Sequence, residues 1–188
     1  MTHEHGHHHG QAHEHEHCRE HEHHHEHPHE HRGMPQIRGI IEGAEITDRA
    51  KAIAVRIFEI LAKAEAKAHG VPEDQVHFHE VGAVDSIVDI ISAAVCLDNL
   101  DITQTVIPFL GEGKGTVRCQ HGILPVPVPA VVNILEAHKI PVEMTGVEGE
   151  LITPTGAAIA AAIGTSDRLP GRFVIKGTGI GAGKRSYE

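Results

Sequence analysis

The chain has 188 residues and a formal charge of −10, with 20 His, only 16 Lys and Arg, a single Tyr and no Trp. No cationic cluster offers a footprint for a phosphate backbone and stacking aromatics are scarce, which excludes a nucleic-acid binder. No apolar run approaches the ~18 residues of a membrane span, the N-terminus lacks a signal-peptide pattern, and Cys18, Cys96 and Cys119 build no disulfide framework, so a soluble protein of the reducing cytoplasm is expected.

Composition changes abruptly at Arg32-Gly33 and divides the chain into residues 1–32 and residues 33–188. His supplies 15 of the first 31 residues, seven more are Glu, and almost none is apolar. Such a tail buries too little surface to offset its ordering entropy and is expected to be disordered without metal. Neutral imidazoles suit zinc, copper and nickel, so His7-His8-His9 and His23-His24-His25 are candidate ligands of a weakly selective, multi-ion sponge. An expression tag, or an acidic linker with incidental affinity, are the plain alternatives; the irregular sequence with Cys18, Pro28 and two Arg argues against a tag.

In the body, Pro35–Glu42 reads as a short helix or connector. Thr47 opens the clearest helix, to about His69, because Ile46, Ala50, Ile53, Ala54, Ile57, Leu61, Ala64 and Ala68 recur at helical spacing and Gly70 and Pro72 stop it. Val76–Glu80 is strand-like, which puts His77 and His79 on one face. A helix from about Asp85 to Asn99 follows, apolar nearly all round and therefore expected to be buried on most sides. At 100° per residue Asp85, Asp89, Ser92, Cys96 and Asn99 fall within an arc of about 80°, a polar stripe that is costly to bury unless a cation or partner side chains occupy it. The plain alternative makes Asp85 an N-cap and pairs Asp89 with an Arg.

Thr103–Leu110 alternates like a strand, Gly111 and Gly113 read as a turn, and Thr116–Cys119 is its candidate hairpin partner. Arg118-Cys-Gln-His-Gly122 sets a thiol and an imidazole two apart, as ligands or as an acid/base pair. A helix is expected at about Ala130–His138 and a strand at Val142–Thr145. Thr153 caps an alanine-rich helix to about Ile163, and the Thr155, Gly156 and Ala157 amides at its start suit a phosphate or carboxylate as well as an ordinary capped core helix. Phe173–Lys176 reads as a last strand. The glycine-rich run from Gly177 matches G-x-G-x-x-A only formally, with no helix after it, so a dinucleotide fold is rejected. Interleaved elements give an α/β class, with α+β the other class admitted, in one compact domain of short strands and about four helices.

Three long segments occur in register: His77-Phe-His-Glu-Val-Gly-Ala-Val-Asp-Ser-Ile-Val-Asp89, Gly111-Glu-Gly with Val117-Arg-Cys-Gln-His-Gly-Ile-Leu-Pro-Val-Pro127, and Gly149-Glu-Leu-Ile-Thr-Pro-Thr-Gly-Ala157. Together they make residues 33–188 resemble the nickel insertion protein of the lactate racemase maturation system, a family that tends to carry a His-rich insertion at this place. The resemblance implies a CTP-dependent nickel chelatase, or cyclometallase (a lyase), that puts nickel into pyridinium-3,5-bisthiocarboxylic acid mononucleotide to make the nickel-pincer nucleotide. It implies that the complete family protein also has an upstream strand and glycine-rich loop, and a C-terminal domain that takes CTP with manganese or magnesium, here on a separate CTP-binding subunit or absent. By position in the motifs, His77, His79, Glu80, Asp85, Asp89 and His121 are the candidates for handling nickel or the pyridinium, with His77 and His79 as metal ligands in the domain. Thr155, Gly156 and Ala157 are the candidates for the phosphate. A homo-oligomer is left open, and the competing reading is a non-catalytic nickel store or metallochaperone in which the tail does the work.

Overall fold

A computed structural model describes residues 32–76, 78, 84–119 and 121–183. The His-rich tail, with His7, His8, His9, His23, His24 and His25, and also His77, His79, Glu80, Lys184 and Arg185, lie outside the described residues.

Among the described residues, five α-helices and four short strands follow one another in chain order. Helix α1 (Met34–Gly43) starts where Gln36 turns back to accept a hydrogen bond from the Gly33 amide at 3.1 Å, and it buries Ile37 and Ile41, one turn apart. Helix α2 (Asp48–His69) is the central element, in contact with every other helix. Thr47 caps it by accepting from the Ala50 amide at 3.1 Å, and Gly70 ends it at φ +67°, a left-handed position that glycine adopts without a Cβ clash. Its buried face runs Ala50, Ala54, Ile57, Phe58, Leu61 and Ala64. A single 3-10 turn at Glu73–Gln75 leads to Phe78, which pairs with Arg32 in an isolated antiparallel bridge and meets Phe58 edge to face at 6.1 Å. Such an aromatic pair contributes ~1 kcal/mol beyond its burial and fixes Phe78 against α2.

Helix α3 (Val84–Asn99) differs from the expectation. Only Ile87, Ile90 and Ala94 are buried, facing α2 and α5, whereas Val84 and Val88 are 63% and 53% exposed. The helix lies at the edge of the bundle, so one stripe suffices to hold it and its other apolar residues meet solvent, as surface residues commonly do. Asp85, Asp89, Ser92, Cys96 and Asn99 do share one side, but that side is exposed, and no burial cost accrues to it.

Strands β1 (Leu110–Lys114) and β4 (Val142–Glu148) pair in parallel, with Leu110 opposite Val142 and a register shift between Glu112 and Lys114. Strands β2 (Thr116–Cys119) and β3 (Gly122–Pro125) form an antiparallel hairpin. Helix α4 (Pro129–His138) starts on its proline, ends at Lys139 with φ +55°, and reaches α2 through Asn133 Nδ2, which donates to the Ala64 carbonyl at 3.0 Å. Helix α5 (Pro154–Ile163) packs Ala157, Ala158, Ala161 and Ala162 into the core, where small side chains let it approach α2 closely.

Three strand expectations are corrected. Residues 103–109 form no strand; Val106 makes one parallel bridge to Ser166 and Pro108 has no amide to donate. Gly111 and Gly113 belong to β1 rather than to a turn, and the partner of β2 is β3. Phe173–Lys176 forms no strand, and Val174 is 83% exposed.

Candidate functional site

The three segments singled out in the sequence, far apart along the chain, meet at one cavity of about 800 Å³. Asp85, Ser86 and Asp89 come from the first turns of α3, and Glu65, Ala68 and His69 from the last turns of α2. The β2–β3 hairpin contributes Val117, Arg118, Cys119, His121 and Leu124. Glu150, Thr153, Pro154, Thr155, Gly156 and Ile159 come from the loop after β4 and the start of α5. Phe78, 2% exposed, and Val128 complete an apolar floor.

The α2 C-terminus carries a contact between residues remote in sequence. The His69 and His121 rings lie 4.9 Å apart between centroids, tilted by 59°, and Glu65 Oε2 stands 3.5 Å from His69 Nε2 one helical turn back. On α3, Asp85 Oδ1 accepts from the Ser86 amide at 2.9 Å, and neither Asp85 nor Asp89 is ion-paired to Arg or Lys among the described residues. The wall thus bears four carboxyl groups (Glu65, Asp85, Asp89 and Glu150) and one Arg, a balance that attracts cations. Among the described residues no three His, Cys, Asp or Glu side chains converge tightly enough to hold a metal ion by themselves.

The start of α5 is narrower as an anion site than the sequence implies. The Gly156 amide donates to Thr153 Oγ1 at 3.1 Å and the Ala157 amide to the Thr153 carbonyl at 2.9 Å, so the cap occupies both. Ala157 is fully buried and does not line the cavity. Thr155, in the first turn, with Arg118 across the cavity, is what remains for an anion.

A buried clamp holds this wall. Glu112, 0% exposed in the middle of β1, accepts through Oε1 from the amides of Gly113 (2.8 Å), Leu151 (2.8 Å) and Ile152 (3.1 Å); Oε2 has no hydrogen-bond partner among the described residues. Next to it, a Cβ on Gly113 would lie 1.8 Å from the Gly149 carbonyl oxygen, so only glycine permits the chains to pass. The clamp fixes the loop from Gly149 into Thr153, and with it Glu150 and the α5 start.

Asp85, Asp89, His121, Thr155 and Gly156 are therefore brought together, whereas His77, His79 and Glu80 lie outside the described residues. Glu65, His69, Ser86, Glu150 and Arg118 join the wall without having been assigned a role. Glu65 and His69 stand four apart at a helix end, but that spacing alone names no site until the hairpin brings His121 against them. No helix among the described residues is long and apolar enough to cross a membrane.

A family model described as nickel insertion protein matches residues 2–188. The chain is 58% identical over 154 residues to the pyridinium-3,5-bisthiocarboxylic acid mononucleotide nickel insertion protein of Alkaliphilus metalliredigens, covering 82% of this chain and 37% of that one. It is 47% identical over 152 residues to the protein of the same name from Clostridium acetobutylicum (81% and 36% covered) and 43% identical to a putative nickel insertion protein of a Picosynechococcus strain (81% and 37%). The chain thus spans little more than a third of the length of these relatives. No solved structure matches it.

Proposed function

The chain belongs to the nickel insertion protein family, and from that premise we propose that its cavity is where nickel is inserted into pyridinium-3,5-bisthiocarboxylic acid mononucleotide. The observation that carries this reading is the convergence of Asp85, Asp89, His121 and Thr155, from three separate segments, on one 800 Å³ cavity. Each part of the named substrate has a counterpart there. The pyridinium cation and Ni2+ face carboxyl groups, the ring can lie on Phe78, Leu124 and Ile159, and the phosphate has Thr155 and Arg118. A cavity of this volume lies in the usual range for small-ligand sites.

In this reading Asp85 and Asp89 hold the cationic partners and the substrate itself supplies sulfur donors to the metal. His77, His79 and Glu80 contribute from the segment beside Phe78. The His-rich tail raises the local nickel concentration. CTP with manganese or magnesium is used by the part of the longer family proteins that lies beyond this chain, as a lyase-type cyclometallase in the cytoplasm. A pure nickel store would need the tail alone and gives no reason for the built cavity.

Asp89→Ala tests the reading. Asp89 is exposed, so its loss should leave the thermal melt within about 0.5 kcal/mol of the parent chain. Nickel incorporation into the mononucleotide, followed by mass spectrometry with CTP and the remaining family domain supplied, should fall by about 10²-fold or more. Unchanged incorporation would refute the assignment.

A further inference from the structure

We propose that Glu112 is the positioning residue for nucleotide recognition: it sets Thr155, on the α5 wall of the cavity, relative to Arg118, on the hairpin wall, and so fixes the hold on the substrate phosphate. The inference rests on the reading above, in which the cavity takes the mononucleotide.

The path of the chain supplies the first argument. Glu112 does not line the cavity, so it acts on the site only through what it holds. Arg118 stands six residues on from it, in β2, past the turn at Gly115. On the other side, the Glu112 side chain accepts from the amides of Leu151 and Ile152, and Ile152 leads directly into Thr153, Pro154 and Thr155. One residue therefore joins the two walls, the first by covalent continuity and the second by hydrogen bonds. Strand β4, the partner of β1, ends at Glu148 and contributes no residue to the cavity.

The segment is also held at two points, which fixes an orientation where one point would leave a hinge. The first is the crossing at Gly113, where an added Cβ would lie 1.8 Å from the Gly149 carbonyl oxygen. The second is the pair of bonds from Leu151 and Ile152 to Glu112 Oε1, at 2.8 and 3.1 Å. Glu150, which lines the cavity, lies between the two points, and the capped start of α5 follows them.

The choice of residue supplies the third argument. In an ordinary sheet such amides would take backbone carbonyls. A buried carboxyl group is a costly substitute, and Oε2, without a hydrogen-bond partner among the described residues, adds to the cost. Stability alone does not call for it. What a three-donor acceptor gives is one defined geometry, because all three amides must converge on the same oxygen.

The test compares the mononucleotide with its nucleoside, made by phosphatase treatment, in calorimetric titrations of the full chain. The parent should bind the mononucleotide at least about tenfold more tightly than the nucleoside. Glu112→Gln keeps the reach of the acceptor and should hold that preference to within about threefold. Glu112→Asp keeps the carboxyl group but draws it back by about one C–C bond, ~1.5 Å. Its preference should fall about tenfold with nucleoside affinity unchanged. An Asp chain that keeps the parent's preference, or that loses affinity for both compounds equally as a loosened fold would, overturns the proposal. If the Asp chain shows no cooperative melt, amide resonances of the parent decide. The mononucleotide, and not the nucleoside, should move Thr155 together with Leu151 and Ile152; a shifted Thr155 beside unmoved Leu151 and Ile152 overturns it equally. A parent that binds neither compound removes the function proposed above and this inference with it. A parent that prefers the mononucleotide, with an Asp chain that does so equally, removes this inference alone.

Discussion

Replacing Glu112 by Ala should destabilise the chain more than any other single polar-to-Ala change in the described residues, because Glu112 is the one charged or polar residue that is fully buried there. Its Oε1 is the acceptor for the amides of Gly113, Leu151 and Ile152. Stripping the acceptor from a buried donor costs about 1–3 kcal/mol. Leu151 is only partly buried and water can enter the space vacated, so the three together should cost ~3–5 kcal/mol rather than their full sum. For a domain of this size that is a fall of roughly 10 °C in melting temperature. Glu112→Gln keeps an acceptor in place but sets a buried amide NH2 where Oε2 lies, and should cost about 1–2 kcal/mol. Urea unfolding followed by circular dichroism measures both. A Glu112→Ala chain within about 0.5 kcal/mol of the parent would show that the clamp contributes nothing to stability and refute the reasoning.

Gly113→Ala should be worse than an ordinary glycine replacement, since its Cβ would overlap the Gly149 carbonyl oxygen at 1.8 Å; a loss of about 3 kcal/mol or an insoluble product is expected in the same assay. His138 is held below the usual imidazole value first by burial and then by Arg56 and Lys63. The folded chain therefore resists its protonation: this contribution is complete above pH ~6.5 and is lost as pH falls below it, so His138→Gln should flatten the decline of melting temperature from pH ~7 to ~5. Nickel uptake by the tail should weaken steeply between pH ~7.5 and ~5.5, because imidazoles must lose protons to bind; equal uptake in a titration would show that the His are not the ligands.

What was legible in the sequence follows from local chemistry. Thr47 and Gly70 bracket α2, Pro129 opens α4, and Thr153 with Pro154 opens α5, each through a capping or backbone preference that acts within a few residues. Strands depended on partners that no local pattern names. Residues 103–109 alternate and residues 173–175 are a β-prone apolar run, yet neither segment finds a strand to pair with. Gly111 and Gly113 carry a turn signature, but a glycine in a strand also marks close backbone approach, and the Gly149 carbonyl beside Gly113 is that case. For α3, hydropathy misjudged how many sides are covered, because an edge helix needs one buried stripe only.

The site divides the same way. Asp85, Asp89, His121 and Thr155 could be named from motifs, since their residue types state their chemistry. Glu65 and His69 stand at the end of a helix whose spacing speaks only of core packing, and it takes the hairpin to bring His121 against them. Glu112 was invisible for a related reason: its three amide donors lie on its own strand and in a loop nearly forty residues on, so its role exists only after β1 and β4 have paired.

The central claim is that one cavity receives the pyridinium mononucleotide, and methyl-labelled nuclear magnetic resonance during titration with that compound tests it most directly. The account predicts shifts concentrated on Val117, Leu124, Val128 and Ile159, which line the cavity, and their loss in an Asp85→Asn/Asp89→Asn chain that melts like the parent. Shifts confined to the exposed methyls of Val142 and Met144 on the β4 strand, with the cavity methyls unmoved, would contradict it.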